Sequence, residues 1–141
     1  MIIAVDFDGI LCKNKFPRIG DPNYEMISFV RRLIDGGHEV ILWTSRTGDR
    51  LTEAVDWCRD RGLHFCSINE NAPSNMAQYS EEYPVPSPKV YADMYLDDRC
   101  PWFFIRNTNA TYDRTIHALI EYTEDTIKIM KSRKSEGEND A

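Results

Sequence analysis

Short apolar runs, separated by glycine-, proline- and asparagine-containing stretches, dominate the first hundred residues. Runs of this length that are rich in Ile and Val are typical of strands buried on both faces of a sheet. Four such runs predict strands over residues 2–6, 39–44, 65–68 and 92–96. A fifth strand is predicted over residues 102–105.

Segments with apolar residues at helical spacing lie between these strands. The first helix is predicted to have Asp21 as its N-cap and Pro22 as its first residue, and to stop at Gly36. A second helix is predicted over residues 48–62, and a last, long helix is predicted to begin near residue 111 or 113.

Strands that alternate with helices predict an α/β fold. We expect a three-layer Rossmann-like sandwich, whose mostly parallel sheet carries helices on both faces. Residues 1–133 are expected to form a single domain, and the polar residues 134–141 a disordered tail. Residues 69–88, rich in Asn, Ser and Pro, predict an irregular connection, which at this length indicates a functional loop or a short helix.

Charge and composition narrow the classes of partner. The net charge of −6 argues against broad nucleic-acid binding, which needs a basic surface. Neither a membrane span nor a signal peptide is expected, since no apolar run is long enough and Asp6 and Asp8 interrupt the apolar start of the chain. The four cysteines form no C-x-x-C pair, so we expect reduced thiols and a cytoplasmic protein.

Acid and hydroxyl side chains come directly after three of the predicted strands. Asp6 and Asp8 follow the first strand, Thr44 follows the second, and the pair Asp97 and Asp98 follows the fourth. The carboxyl ends of parallel strands meet at one edge of a sheet, where ligands of open α/β sheets bind. The sequence therefore predicts a cluster of acids at this edge.

Carboxylates this close together repel one another, so either their pKa values rise or a cation lies among them. Oxygen ligands without nearby His or Cys favour a hard ion such as Mg²⁺, which commonly bridges carboxylates to a substrate phosphate. With Lys89 ahead of the fourth strand, the set predicts a phosphoryl-transfer site. The alternative is that these acids are helix caps and turn residues, roles that Asp commonly takes.

The order of these groups resembles that of the haloacid dehalogenase (HAD) superfamily. Its first motif, an apolar strand followed by D-x-D, reads IIAVDFDGIL here, and its second, a strand ending in Thr or Ser, reads VILWT. The third motif is a lysine, matched by Lys89 in SPKVYADMYL, and the fourth is a pair of acids, matched in MYLDD. The resemblance covers residues 1–106, with Ile10 standing where Thr is commonest.

This resemblance implies a Mg²⁺-dependent phosphatase. Asp6 would attack phosphorus in line and form an aspartyl-phosphate, and Asp8 would protonate the leaving oxygen and then activate water. Thr44 would hydrogen-bond a phosphoryl oxygen, and Lys89 would offset negative charge. Mg²⁺ would be held by Asp6, the backbone carbonyl of Asp8, Asp97 and Asp98.

The intervals between the motifs leave no room for the cap domain that most relatives carry. An open site suits a large substrate or a lid from another subunit, so a homo-oligomer is one expectation. The expected partner is a phosphorylated substrate, either a nucleotide or another phosphorylated metabolite or macromolecule. The candidates for binding it are Gly9, Ser45, Arg46 and Asn69. For Arg46 the alternative is a surface salt bridge, and for Asn69 a turn.

Three other functions compete with hydrolysis. A phosphoacceptor receiver domain uses similar groups, but its paired acids end the first strand and its phosphorylated Asp ends the third, which is not the order here. A non-catalytic binding module on the same scaffold would not need a full set of motif residues, and all are present. A phosphotransferase would pass the phosphoryl group to an acceptor other than water.

Overall fold

The computed structural model describes residues 1–137, and the chain divides into two compact units. The first unit spans residues 1–100 and contains, in chain order, β1 (Ile2–Val5), β2 (Cys12–Lys15), β3 (Arg18–Pro22), α1 (Tyr24–Asp35), β4 (Glu39–Leu42), α2 (Gly48–Asp60), β5 (Ser67–Ile68), α3 (Pro73–Tyr79) and β6 (Met94–Leu96). The second begins at Pro101 and contains α4 (Pro101–Asn109) and α5 (Tyr112–Ser135).

A parallel four-stranded sheet in the order β5-β4-β1-β6 is the centre of the first unit. All four residues of β1 are buried, as expected for a central strand covered on both faces. On one face, Ile2, Ala4 and Ile41 pack with residues of the connection between β5 and β6, namely Ala72, Val90 and Ala92. This confirms the predicted Rossmann-like α/β sandwich. No cap domain interrupts residues 1–137.

Helix α1 packs against β4 and buries the apolar face that its spacing predicted. It begins at Tyr24 with Asn23 as N-cap, so the prediction of Asp21 as N-cap and Pro22 as first helical residue was wrong. Asp21 and Pro22 belong instead to β3, which pairs with β2 in an antiparallel hairpin. The Asn23 side chain donates from Nδ2 to the carbonyl of Ile10, 2.9 Å away, and so ties the helix start to the turn after β1.

The second unit corrects the strand predicted over residues 102–105, because these residues lie in α4. Pro101 occupies the first position of this helix, where a missing N–H costs nothing. The Trp102 ring packs edge-on against Tyr122 of α5, with ring centroids 5.4 Å apart. The last helix begins where it was predicted, after Thr111, whose side chain accepts a hydrogen bond from the backbone N–H of Arg114.

The C-terminal end of α5 overlaps the tail that the sequence predicted. The helix continues to Ser135, so the first two residues of the predicted tail, residues 134–141, are helical, while residues 138–141 lie outside the described residues. The single domain expected over residues 1–133 stays a prediction. Within residues 1–137, no helix combines the length and the apolar character needed to cross a membrane. None of the four cysteines forms a disulfide.

Candidate active site

The carboxyl edge of the sheet forms a cleft of about 710 Å³, which we call the acid cleft. Backbone hydrogen bonds continue the ladder just past the strand ends: Asp6 N–H donates to Leu96 and Asn69 N–H donates to Leu42, at 2.9 and 2.8 Å. Because the sheet fixes the residue after each strand, side chains from separate parts of the chain meet there. Those lining the cleft are Asp6, Asp8, Asn14, Phe16, Trp43, Thr44, Ser45, Arg46, Thr47, Asn69, Asp97, Asp98 and Arg99.

Three carboxylates lie closest together in this cleft. Asp6, Asp97 and Asp98 each offer one oxygen, and these oxygens lie within 4.8 Å of one another. Burial raises the pKa of Asp6 to about 8, with the charges of Asp97 and Asp98 adding to the effect. Burial also raises the pKa of Asp98, against the hydrogen bond with Asp6. A positive charge placed among the three groups would favour their ionised forms.

The donor set fits Mg²⁺. The three groups supply carboxylate oxygens, the ligands that this small, hard cation takes, and no His or Cys among the described residues joins the cluster. The half-buried position and the raised pKa of Asp6 distinguish the cluster from acids that are fully hydrated on a surface.

Gly9 allows the Asp98 carboxylate to lie close to the backbone after β1. Its backbone has a φ of +90°, and a Cβ at this position would overlap the Asp98 carboxylate. A residue with a side chain would therefore be strained in its own backbone and would push Asp98 away. Gly9 was predicted to bind substrate; the structure gives it a contact with the acid cluster, and its predicted role is untested.

Asp8 forms a bidentate ion pair with Arg46. Arg46 Nε lies 2.7 Å from Asp8 Oδ2, and Nη2 lies 2.8 Å from Oδ1. The same guanidinium donates to the backbone carbonyls of Pro17 and Arg18, at 3.2 and 3.1 Å. The hydrogen bonds to Asp8 raise the pKa of Arg46, against the effect of burial. Arg46 is 2% exposed, so it is not the surface salt bridge considered above.

Thr44 and Asn69 form a second link at the cleft. The backbone N–H of Thr44 donates to Asn69 Oδ1, 2.8 Å away, and Thr44 Oγ1 accepts from the backbone N–H of Arg46 at 3.2 Å. Asn69 adopts a left-handed backbone with a φ of 54°, a conformation that Asn tolerates better than most residues. Asn69 thus fixes the loop after β4. Ser45, in the same loop, is exposed to the cleft.

Lys89 is the predicted site residue that the structure does not bring to the acid cleft. It lines a second cleft near the start of β1, where Ile2 also lies, and its Nζ is 5.2 Å from the centre of the Tyr95 ring. Its catalytic role therefore stays a prediction from the motif order. Five residues that line the acid cleft were not predicted from the sequence, namely Asn14, Phe16, Trp43, Thr47 and Arg99. Arg99 directly follows the paired acids, a signal that was available.

No protein-family model and no curated protein sequence matches the chain. A solved structure does match, described as that of a conserved protein from Bacteroides thetaiotaomicron. The two chains are 34% identical, with a TM-score of 0.62, and the match covers 79% of this chain and 93% of the other. The chain belongs to the family of this conserved protein. Since the description of this family member states no activity, function has to be argued from the site itself.

Proposed function

We propose that the chain is a Mg²⁺-dependent phosphomonoester hydrolase of the HAD type, acting through an aspartyl-phosphate on Asp6. The observation that carries this proposal is the meeting of three carboxylates within 4.8 Å, beside a hydroxyl and a fourth carboxylate in the same cleft. The chain order supports it, because D-x-D follows the first strand of the sheet and the paired acids follow the last.

The metal would be held by Asp6, Asp97 and Asp98, together with the backbone carbonyl of Asp8. When bound, Mg²⁺ supplies positive charge that offsets both the carboxylates and the phosphate oxygens. The Asp8 side chain is not proposed as a ligand, because both of its oxygens accept hydrogen bonds from Arg46.

In the first step, a carboxylate oxygen of Asp6 attacks phosphorus in line with the leaving oxygen. The bond between phosphorus and that oxygen breaks, its electron pair stays on the oxygen, and Asp8, in its protonated form, supplies the proton that makes it an alcohol. Because both Asp8 oxygens accept from Arg46, this role requires that one of them exchange Arg46 for the leaving oxygen. Asp6 N–H is held by Leu96, and one carboxylate oxygen of Asp6 accepts from Phe7 N–H at 2.8 Å, so the nucleophile has a fixed orientation.

In the second step, Asp8, now a carboxylate, takes a proton from water as the water oxygen attacks phosphorus. The bond to Asp6 breaks, which releases inorganic phosphate and restores the Asp6 carboxylate. Thr44 would donate its hydroxyl hydrogen to a phosphoryl oxygen, since Oγ1 already accepts from Arg46 N–H. Arg99, at the rim of the cleft, would add positive charge beside the acids.

Phosphate release from a panel of phosphomonoesters, in Mg²⁺ and in EDTA, tests this proposal. The Asp6→Asn variant is expected to lose at least about a thousandfold in rate, because it removes the nucleophile while keeping its shape. The matched control is Asp60→Asn, an exposed acid on α2 outside the cleft, which is expected to keep full activity. Release that persists in EDTA or in Asp6→Asn would contradict the proposal.

A further inference from the structure

The guanidinium of Arg46 contacts two aromatic rings. Its Cζ atom is 5.1 Å from the centre of the Phe7 ring and 5.2 Å from the centre of the Phe16 ring. Phe7 is fully buried and packs edge-on against Trp57, with ring centroids 5.3 Å apart. Of the two rings that Arg46 contacts, Phe7 is therefore part of the core, and Phe16 is the exposed one.

Phe16 differs from Phe7 and Arg46 because it is 61% exposed, and it lines the acid cleft. Its position in the β2–β3 hairpin is nonetheless fixed. Its backbone N–H donates to Asn14 Oδ1 at 3.3 Å, and the carbonyls of Pro17 and Arg18, which follow it, accept from Arg46. An exposed aromatic ring on an anchored backbone, beside a candidate active site, is a surface on which a planar group can stack.

The cleft is larger than a phosphoryl group needs. Its volume of about 710 Å³ lies within the range of pockets that enclose a whole small molecule. The acids occupy the sheet edge, while Phe16 and Asn14 come from the hairpin. A substrate whose phosphate lies at Asp6 thus has space for its organic part against Phe16.

We infer that Phe16 is a binding platform for a planar aromatic ring in the leaving group of the substrate. This inference rests on the proposed function and narrows its substrate class to phosphomonoesters such as nucleoside monophosphates. Bases stack on aromatic side chains without a requirement for one particular base, because every base has a π face. The Arg46 guanidinium lies 5.2 Å from the centre of the Phe16 ring, and this cation–π contact helps to hold the platform in place.

Two pairs of substrates separate the effect of an aromatic ring in the substrate from the effect of the leaving group. Adenosine 5′-monophosphate and ribose 5-phosphate both release a primary alcohol, and only the first carries a base; benzyl phosphate and cyclohexylmethyl phosphate form a second pair. In Phe16→Ala, kcat/KM is expected to fall roughly tenfold for the aromatic member of each pair and to stay within about twofold for the other. Phe16→Trp is expected to restore the preference. The control is Phe104→Ala, an exposed Phe on α4.

Measurements of binding affinity show whether a negative result contradicts this inference or the hydrolase proposal. Calorimetry on Asp6→Asn measures the affinities for adenosine 5′-monophosphate and ribose 5-phosphate, with and without Phe16→Ala. If no substrate is hydrolysed but the nucleotide binds more tightly in a Phe16-dependent way, the platform stands and the hydrolase proposal fails. If hydrolysis occurs and Phe16→Ala leaves both pair preferences unchanged, the platform is refuted and the hydrolase proposal stands. If no substrate is hydrolysed and Phe16→Ala does not change nucleotide binding, both the hydrolase proposal and the platform are refuted.

Discussion

The two clefts of the first unit differ in what holds their side chains. In the acid cleft, the candidate functional groups follow directly after strands of one sheet, and they bind one another through ion pairs and hydrogen bonds. The second cleft, of about 450 Å³, is lined mainly by the connection between β5 and β6, including Tyr79, Tyr83 and Lys89. Residues 80–93 of this connection carry no helix or strand.

This difference explains which predictions located a side chain. The pairing of strands in the sheet fixes the position of a residue next to a strand end. The strand pattern alone therefore predicts that Asp6 and Asp98 lie close together. The position of a residue in a long connection depends instead on local hydrogen bonds, such as those from Lys89 N–H to Ser87 and from Tyr91 N–H to Asn71. The order of motifs along the chain does not determine those bonds.

Removing Arg46 is expected to have the largest effect, on the free energy of unfolding. Arg46→Ala leaves the partly buried Asp8 carboxylate without its partner, and breaking a buried pair in this way costs about 3–5 kcal/mol. The matched control is Arg50→Ala, whose pair with Glu53 is half exposed and is expected to be worth less than about 1 kcal/mol. Urea denaturation measures both. Equal losses would contradict the view that the acid cleft is held together by this pair.

A second pair of variants compares the two clefts by activity. Asp98→Asn, in the acid cleft, is expected to lower phosphate release by about a hundredfold or more, because it removes one of the three clustered carboxylates. On the geometry, Lys89→Ala is expected to change the rate by less than about twofold. A hundredfold loss in Lys89→Ala would instead favour the role that the HAD motif order implies, with Lys89 reaching the acid cleft when substrate binds.

The third expected effect, the smallest for a single step of one pH unit, is a pH dependence of stability that belongs to the acid cleft alone. The pKa of Asp6 is raised from 3.8 to about 8, so in EDTA its contribution is fully present below about pH 4 and is lost as pH rises towards 8. Asp6→Asn should remove this decline, which for one group is at most about 1.4 kcal/mol per pH unit. Mg²⁺ should stabilise the wild type increasingly as pH rises, since the ion takes the place of the proton.

Urea denaturation at several pH values, with EDTA or Mg²⁺, checks this third prediction. Asp60→Asn serves as the control, because its side chain is 68% exposed and it lies outside the acid cleft. Parallel pH profiles for the wild type and Asp6→Asn in EDTA would show that neither burial nor the neighbouring carboxylates raise the pKa of Asp6 appreciably.

Much of the sheet could be predicted from the sequence because its strands are short, apolar and buried. The acid cluster followed from those strands, since each of its residues lies within two residues of a strand end. The strand predicted over residues 102–105 was wrong because a four-residue apolar run does not distinguish a strand from a helix. Its preceding proline, which favours the first turn of a helix, was the better signal.

The pairing of Asp8 with Arg46 could not be predicted from the sequence. Arg46 lies 38 residues from Asp8, and its burial depends on the β2–β3 hairpin, whose register the pattern did not specify. For the same reason Phe16 went unnoticed: the stretch after β1 has no clear period, so nothing in the sequence placed its side chains at the sheet edge.

The hydrogen bonds that join Arg46 to the hairpin have a consequence for how the protein can vary. Their acceptors are the carbonyls of Pro17 and Arg18, which are main-chain groups present whatever side chains stand there. The Phe16 side chain can therefore be exchanged for another while the hydrogen bonds that attach the hairpin to Arg46 persist. Under the proposed function, substrate preference at Phe16 and the geometry of the acid cleft are then separately adjustable, which makes position 16 the place to introduce a new specificity by directed evolution.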